Sequence, residues 1–116
     1  MTPRRSPAGA AGDAARADVV FAALADATRR DLLRSVVEEG PVTATELAAD
    51  RPLTRQAVAK HLGVLGRAGL VHSTRAGRET RYEADPAPLT AVVDWVTDTG
   101  DAWDRRLGRL ARLLEP

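Results

Sequence analysis

The chain has 116 residues, a formal net charge of +1 and no cysteine. This length suits one small domain rather than two, and the missing cysteines exclude disulfides, thiolate metal sites and thiol redox switches. No apolar run is long enough to span a membrane and the N-terminus lacks a signal-like apolar core, so we expect a cytoplasmic protein with no membrane contact.

The N-terminal part predicts a tail followed by a helix. Residues 1–12 combine Pro, Gly and Ser with two arginines and show no periodicity, so we expect a disordered tail there and the folded domain over 13–116. Asp13 is the expected cap of a first helix that runs to about Ala25. The predicted buried stripe of this helix consists of Ala17, Val20, Phe21 and Leu24.

Two capping patterns predict the next helices. Thr28 and Asp31 resemble the start of a capping box, and the helix they open would end at Gly40-Pro41. Its predicted inner face consists of Leu32, Leu33, Val36 and Val37. Thr43 and Glu46 have the full S/T-x-x-E form and predict a short third helix.

The stretch from Thr54 to Gly69 carries the strongest functional signal. Thr54 suits an N-cap and Gly69 a left-handed C-cap. The helix between them has an apolar stripe of Val58, Leu62 and Leu65, and an outward face of Arg55, Gln56, Ala59 and Lys60. A turn as short as residues 50–53 between two helices predicts a helix-turn-helix unit, whose second helix reads the major groove through its first turns.

The residues after Gly69 predict a β-hairpin. Two strand-like runs, 71–75 and 79–83, are joined through Ala76-Gly77-Arg78. We expect Arg78 to enter a minor groove, since an arginine on a narrow ribbon suits its negative potential. From Arg51 to Tyr82 there are seven basic residues and one acid, a balance of +6. This clustering predicts a phosphate-binding surface, with a chance cluster on a solvated face as the alternative.

The C-terminal part predicts one long helix over 86–115. Its apolar residues follow a heptad spacing, namely Leu89, Val93, Val96, Gly100, Trp103, Leu107, Leu110 and Leu114. So long a stripe predicts pairing with a second copy, although a terminal helix folded back on its own domain is the alternative. Trp95 lies off the stripe, and we expect it to pack against the first helix.

Residues 57–71, AVAKHLGVLGRAGLV, resemble the recognition helix and first wing strand of the ArsR-type winged helix-turn-helix repressors, which commonly carry A-V-x-x-H-L-x-x-L-x-x-A-G-L-V. LADATRR over 24–30 and Glu46-Leu47-Ala48 are also similar to this family. The resemblance implies a mainly α fold with a small β-hairpin, ordered α-α-α-α-β-β-α, that dimerises through its terminal helices. It also implies a bacterial repressor of a promoter, often its own, acting on an inverted-repeat operator in double-stranded DNA.

Two sets of site residues follow from the helix-turn-helix pattern, the heptad stripe and the resemblance. The expected DNA contacts are Thr54, Arg55, Gln56, Ala59, Lys60, His61, Arg67, Arg75, Arg78 and Arg81. The expected dimer contacts are Phe21, Leu24, Leu89, Val93, Val96, Trp103, Leu107, Leu110 and Leu114.

The metal response of the family does not carry over to this chain. Its best-known sensing site has a Cys-x-Cys pair beside Glu46-Leu47, where this chain has Ala48-Ala49-Asp50. A second site needs histidines on the terminal helix, but the histidines here are His61, expected to pack with a hydrogen bond, and His72, without a visible partner. We therefore expect no metal and no cofactor, and the sequence leaves the inducer open.

An enzyme is not expected, because no nucleophile and base pair or Gly-rich phosphate loop is present. The alternative function is a dimeric winged-helix module that binds a protein partner instead of DNA.

Overall fold

The computed structural model describes residues 7–114, which form a mainly helical domain with a small antiparallel sheet. The elements in chain order are α1 (Pro7–Ala23), α2 (Ala27–Glu39), β1 (Val42–Thr43), α3 (Ala44–Ala48), α4 (Arg55–Arg67), β2 (Val71–Ala76), β3 (Glu79–Ala84) and α5 (Leu89–Leu114). The predicted winged helix-turn-helix architecture is confirmed. No helix of the described part is both long and apolar enough to cross a membrane.

The sheet has one strand more than the sequence predicted. Its order is β1-β3-β2. Tyr82 of the central strand β3 lies opposite Val42 of β1 on one side and opposite Ser73 of β2 on the other. β1 is only two residues long, so it has no alternating pattern that could be recognised in the sequence. Its pairing joins the residues just before α3 to the middle of β3, the second strand of the predicted hairpin.

The core is built from aliphatic side chains around α4. The most deeply buried residues are Leu32, Leu47, Leu62, Leu65, Leu70, Val20, Val36 and Val58. The predicted stripe of α4 is confirmed, because Val58, Leu62 and Leu65 are each 0 % exposed. α4 is thus held on one face by α2, α3 and β2, and its opposite face is left to solvent.

The first helix begins earlier than predicted. α1 starts at Pro7, so residues 7–12 belong to a helix and Asp13 lies inside it rather than at its cap. Alanine is the strongest helix former, and proline is tolerated in the first helical turn. Residues 1–6 of the expected tail lie outside the described part of the chain.

Two apolar residues predicted to face inward point outward. Phe21 of α1 is 38 % exposed and Val37 of α2 is 57 % exposed. Ala23, not predicted in the stripe, is buried in place of Phe21. In α2 the buried stripe is narrower than the run of apolar residues, whereas Phe21 is directed toward Trp95 of α5.

The junction between α1 and α2 is closed by the residues Asp26 to Arg30. Asp26, and not Thr28, is the N-cap of α2, accepting a hydrogen bond from Arg29 N at 3.0 Å. This bond is the main cause of the lowered pKa of the Asp26 carboxyl. Arg29 Nε donates to Ala23 O at 2.6 Å and Arg30 Nη1 to Leu24 O at 2.6 Å. Both guanidinium groups therefore satisfy carbonyls at the C-terminal end of α1.

Arg51 fixes the turn of the helix-turn-helix unit. Its side chain is 15 % exposed; Nε donates to Asp31 Oδ2 at 2.9 Å and Nη1 to Leu47 O at 2.7 Å. Nη2 donates to Ser35 Oγ. Arg51 thereby joins α2 to the end of α3, and it does not contribute to an exposed basic surface.

We predict that Arg51→Ala lowers the free energy of unfolding by about 2 kcal/mol, because a mostly buried charged hydrogen-bond network is lost. Urea unfolding followed by circular dichroism measures this change. The matched control is Arg34→Ala on the exposed side of α2, which should change stability by less than about 0.5 kcal/mol. Equal effects of both variants would contradict the assigned role of Arg51.

Candidate nucleic-acid interface

Both ends of α4 are fixed by local hydrogen bonds. Thr54 Oγ1 accepts a hydrogen bond from Ala57 N at 3.0 Å, which confirms the predicted N-cap. At the other end, Gly69 has φ 77°, its N–H donates to Gly66 O at 3.0 Å, and Leu70 N donates to Leu65 O at 3.0 Å. This pair of bonds is a Schellman motif, closed by the buried side chains of Leu65 and Leu70.

The first turns of α4 expose the residue types suited to base reading. Arg55, Gln56 and Lys60 are exposed, whereas Ala59 and His61 are half-buried. Because Val58 and Leu62 are locked in the core, the direction of these polar side chains is set by the packing of the helix.

A groove of about 440 Å³ lies between α3, the start of α4 and the β2-β3 hairpin, here called the wing. Arg55 lines it from α4, and Arg75 and Arg78 line it from the wing. Tyr82 also lines this groove, and it packs against the core. Three predicted DNA-binding arginines from two separated segments are thus brought to one concave surface.

The wing is a tight hairpin whose tip carries Arg78. Ala76 pairs with Glu79, so Gly77 and Arg78 form the turn, and Gly77 takes the positive φ of 65°. The predicted hairpin is confirmed to within one residue at each strand end. Arg78 is exposed at the point of the wing that is free to enter a groove.

Arg81, Arg67 and His61, which were also predicted to bind DNA, lie apart from this groove. Arg81 follows Thr80 on β3, so strand alternation puts it on the opposite face of the wing, where Nη2 contacts Glu79 Oε2 at 2.9 Å. Arg67 lies in the last turn of α4, about 18 Å along the helix axis from Arg55. His61 is close to Asp26, near the α1–α2 junction.

His72 has a partner that the sequence did not reveal. Its Nε2 lies 2.9 Å from Asp85 Oδ2, and Asp85 N donates to Leu70 O at 2.8 Å. The bond from His72, followed by one from Ala87 N, lowers the pKa of the Asp85 carboxyl. These contacts join the base of the wing to the segment before α5. Because 13 residues separate His72 from Asp85 along the chain, the sequence pattern gives no signal of this pairing.

The exposed apolar residues concentrate on α5. Val93, Val96, Trp103, Leu107, Leu110 and Leu114 are each more than half exposed. In contrast, Leu89 and Leu24, also predicted at a dimer interface, pack against the core of their own domain.

Phe21 and Trp95 meet edge to face with ring centroids 5.5 Å apart, which confirms that Trp95 packs on α1. From Gly100 to Leu114 every residue is exposed, so α5 does not fold back on its domain over this length.

Among the side chains that the structure describes, no three of His, Cys, Asp or Glu are grouped so as to hold a metal ion.

Comparison with known proteins agrees with this geometry. Residues 24–74 match a family model described as a helix-turn-helix domain. The chain is 40 % identical over 98 residues to the HTH-type transcriptional regulator Rv2034 of Mycobacterium tuberculosis, an alignment covering 84 % of this chain and 88 % of the relative.

Two solved structures share the fold. An ArsR-like transcriptional regulator from Rhodococcus sp. RHA1 is 40 % identical with a TM-score of 0.75, covering 90 % of this chain and 97 % of that chain. The homodimeric winged helix-turn-helix DNA-binding domain Mb0332 from Mycobacterium bovis is 25 % identical with a TM-score of 0.59, covering 84 % of this chain and 91 % of that chain.

The fold and the groove beside α4 therefore define a winged helix-turn-helix DNA-binding protein. The chain belongs to the ArsR-like family of transcriptional regulators, which are not enzymes.

We predict that the His72–Asp85 interaction stabilises the fold at neutral pH and is lost in acid. The pKa of Asp85 lies below its usual 3.8 in the folded state, so its contribution is present above that value and disappears as pH falls through the folded-state pKa. A double-mutant cycle of His72→Ala and Asp85→Asn, measured by urea unfolding, should give a favourable coupling energy near pH 6 and none near pH 2. A coupling that persists in acid would contradict a role for the ionised Asp85 carboxylate in this contact.

Proposed function

We propose that the protein is a dimeric transcriptional repressor that binds an inverted-repeat operator, including one at its own promoter, without sensing a metal. The observation that carries the proposal is the single groove shared by Arg55 of α4 and by Arg75 and Arg78 of the wing. An exposed helix N-terminus flanked by a basic ribbon matches the shape of a major groove and its adjoining minor groove. A repressor of this kind works in the cytoplasm, beside the chromosome.

The polar residues of α4 divide into base-reading and phosphate-binding groups. Arg55 can donate two hydrogen bonds to guanine O6 and N7, and Gln56 can pair with adenine N6 and N7. Each such pair contributes about 1–3 kcal/mol of discrimination against the wrong base. Thr54 and Lys60 are suited to phosphate, half-buried Ala59 lines the groove beside Arg55, and half-buried His61 lies outside the groove, near Asp26.

The wing and the end of α4 supply further positive charge. Arg78 at the tip is assigned to the minor groove, and Arg75 to phosphates beside it. Arg67 and Arg81 are proposed as outer phosphate contacts, since both are set apart from the central groove. Phosphate contacts fix the position of the protein on DNA and make its affinity fall steeply with salt.

The dimer is proposed to form through α5. This helix of 26 residues is about 39 Å long, and its exposed stripe includes Trp103, Leu107 and Leu110. A contiguous apolar surface of this length is characteristic of a protein interface, and the heptad spacing matches a second copy of the same helix. A two-fold dimer would present its two α4 helices to successive major grooves, about 34 Å apart.

The absence of metal sensing is proposed from the ligand chemistry. Residues 48–50, Ala-Ala-Asp, offer no thiolate beside α3, and neither His61 nor His72 lies on α5. Repression is the simplest action for a small dimer, because a protein seated on a promoter excludes polymerase.

The first test is fluorescence-anisotropy binding to DNA from upstream of the gene, against scrambled DNA, across a salt series. Tight sequence-dependent binding with a steep salt slope is expected. Loss of all preference between the duplexes would favour an operator elsewhere, and loss of DNA binding altogether would favour the protein-partner alternative.

We predict that Arg55→Ala and Gln56→Ala each relax sequence preference, costing about 1–3 kcal/mol on the operator and little on scrambled DNA. Arg78→Ala should instead weaken binding to both duplexes and reduce the salt slope by about 1. Arg109→Ala on α5 is the matched control, expected to leave both affinities unchanged. If all four variants behaved alike, the assigned reading surface would be wrong.

We predict that the double variant Leu107→Glu/Leu110→Glu is monomeric, because it places four carboxylates in the apolar seam of the proposed dimer. Sedimentation velocity measures the state directly, and operator affinity should fall with it. Ala102→Glu, on the opposite side of α5, is the control and should stay dimeric. A dimeric double variant would move the interface away from α5.

A further inference from the structure

A second cleft lies at the opposite end of α4 from the DNA-binding groove. It is bounded by Val19 and Val20 of α1, by Ala68 and Gly69 at the end of α4, and by Pro88 in the segment before α5. Its volume is about 580 Å³, within the range of small-molecule sites. We call it the α1–α4 cleft.

The lining of this cleft has the chemistry of a site for an apolar anion. Its inner wall includes Val20, 1 % exposed, whereas Val19 leaves 51 % of its surface to solvent. The charged residues in the lining are Arg16 and Arg67, and none of the lining residues is acidic. Apolar walls favour a hydrocarbon body, and guanidinium groups form their strongest hydrogen bonds with carboxylates and similar anions.

The cleft lies between the end of α4, the helix proposed to read DNA, and the segment before α5. Gly69 forms the Schellman end of α4, and a Cβ added at Gly69 would lie 3.4 Å from Pro88 Cγ. Gly69 and Pro88 therefore face each other at the corner between α4 and the segment leading to α5. An occupant of the cleft contacts α1, the end of α4 and the segment before α5 at once, so it can bias the angle between α4 and α5.

We propose that the α1–α4 cleft binds a small apolar carboxylate, and that its occupancy changes the affinity of the protein for operator DNA. The binding site stands on its own geometry, whereas its effect on DNA rests on the proposed function. The inducing signal is then an organic anion held by Arg16 and Arg67.

The binding test is isothermal titration calorimetry of the full chain, without DNA, against sodium decanoate below its micellar concentration. Decyltrimethylammonium has the same tail with the opposite charge and serves as the control ligand. Decanoate should bind once per protomer and at least about tenfold more tightly than the cation. Equal binding of both ligands, or no binding of decanoate because a second copy closes the cleft, would overturn the proposal.

Three variants locate the binding. Arg16→Gln/Arg67→Gln should weaken decanoate by about tenfold or more, because both charge-assisted contacts are removed. Val19→Trp should block the cleft while keeping its charge, and circular dichroism checks that both variants fold. Arg109→Gln on α5 is the matched control and should bind as the wild type does. Undiminished binding by the first two variants would place decanoate on another surface, such as the α5 stripe, and overturn the site.

The effect on DNA is measured by anisotropy with and without saturating decanoate. Wild-type operator affinity should change by about fivefold or more, and Val19→Trp should not respond. Linkage requires operator DNA to change decanoate affinity by the same factor. Decanoate binding with no change in operator affinity would overturn the coupling. Absence of operator binding in every condition would refute the proposed function, while calorimetry still decides the site.

Discussion

The burial of one face of α4 is the constraint on which the rest of the structure depends. Val58, Leu62 and Leu65 are completely buried, so the helix that presents polar groups to DNA is also the centre of the core. Its two ends are fixed as well, by the Thr54 cap and by the Schellman motif at Gly69. The helix backbone that carries the reading residues is therefore preorganised, so binding restricts the exposed side chains but orders little backbone.

Arginine has three separate uses in this chain, and net charge cannot distinguish them. Arg29 and Arg30 satisfy carbonyls at the end of α1, and Arg51 joins α2 to the turn before α4. Arg55 and Arg78 face the open groove. A guanidinium group on a long side chain binds whichever carbonyl or carboxylate the fold brings near, so its role depends on tertiary contacts. The positive surface is consequently smaller than the charge balance of residues 51–82 indicated.

The parts of the fold that the sequence predicted correctly are those encoded locally. Thr54 and Gly69 mark the ends of α4 through bonds within a few residues, and the α4 stripe follows from helical spacing. The errors are non-local. The pairing of Val42 with Tyr82 joins segments 40 residues apart, and the outward direction of Phe21 depends on where Trp95 of α5 lies. The groove of the candidate site is also non-local, because it exists only where the wing lies beside α3 and α4.

The junction between α4 and α5 sets the distance between the two α4 helices of the proposed dimer. This distance must match the spacing of successive major grooves. If α5 forms the dimer, each α4 is carried at a fixed angle from that interface through the corner where Gly69 meets Pro88. The partner α4 must then reach a groove about 34 Å away, so a small rotation at the corner becomes a displacement of several ångströms at the DNA. Only a rigid corner allows both half-sites to be read at once. A molecule bound beside this corner would change the spacing of the two helices while leaving Arg55, Gln56 and Arg78 uncovered, and its contact with Arg67 would remove one proposed outer phosphate contact.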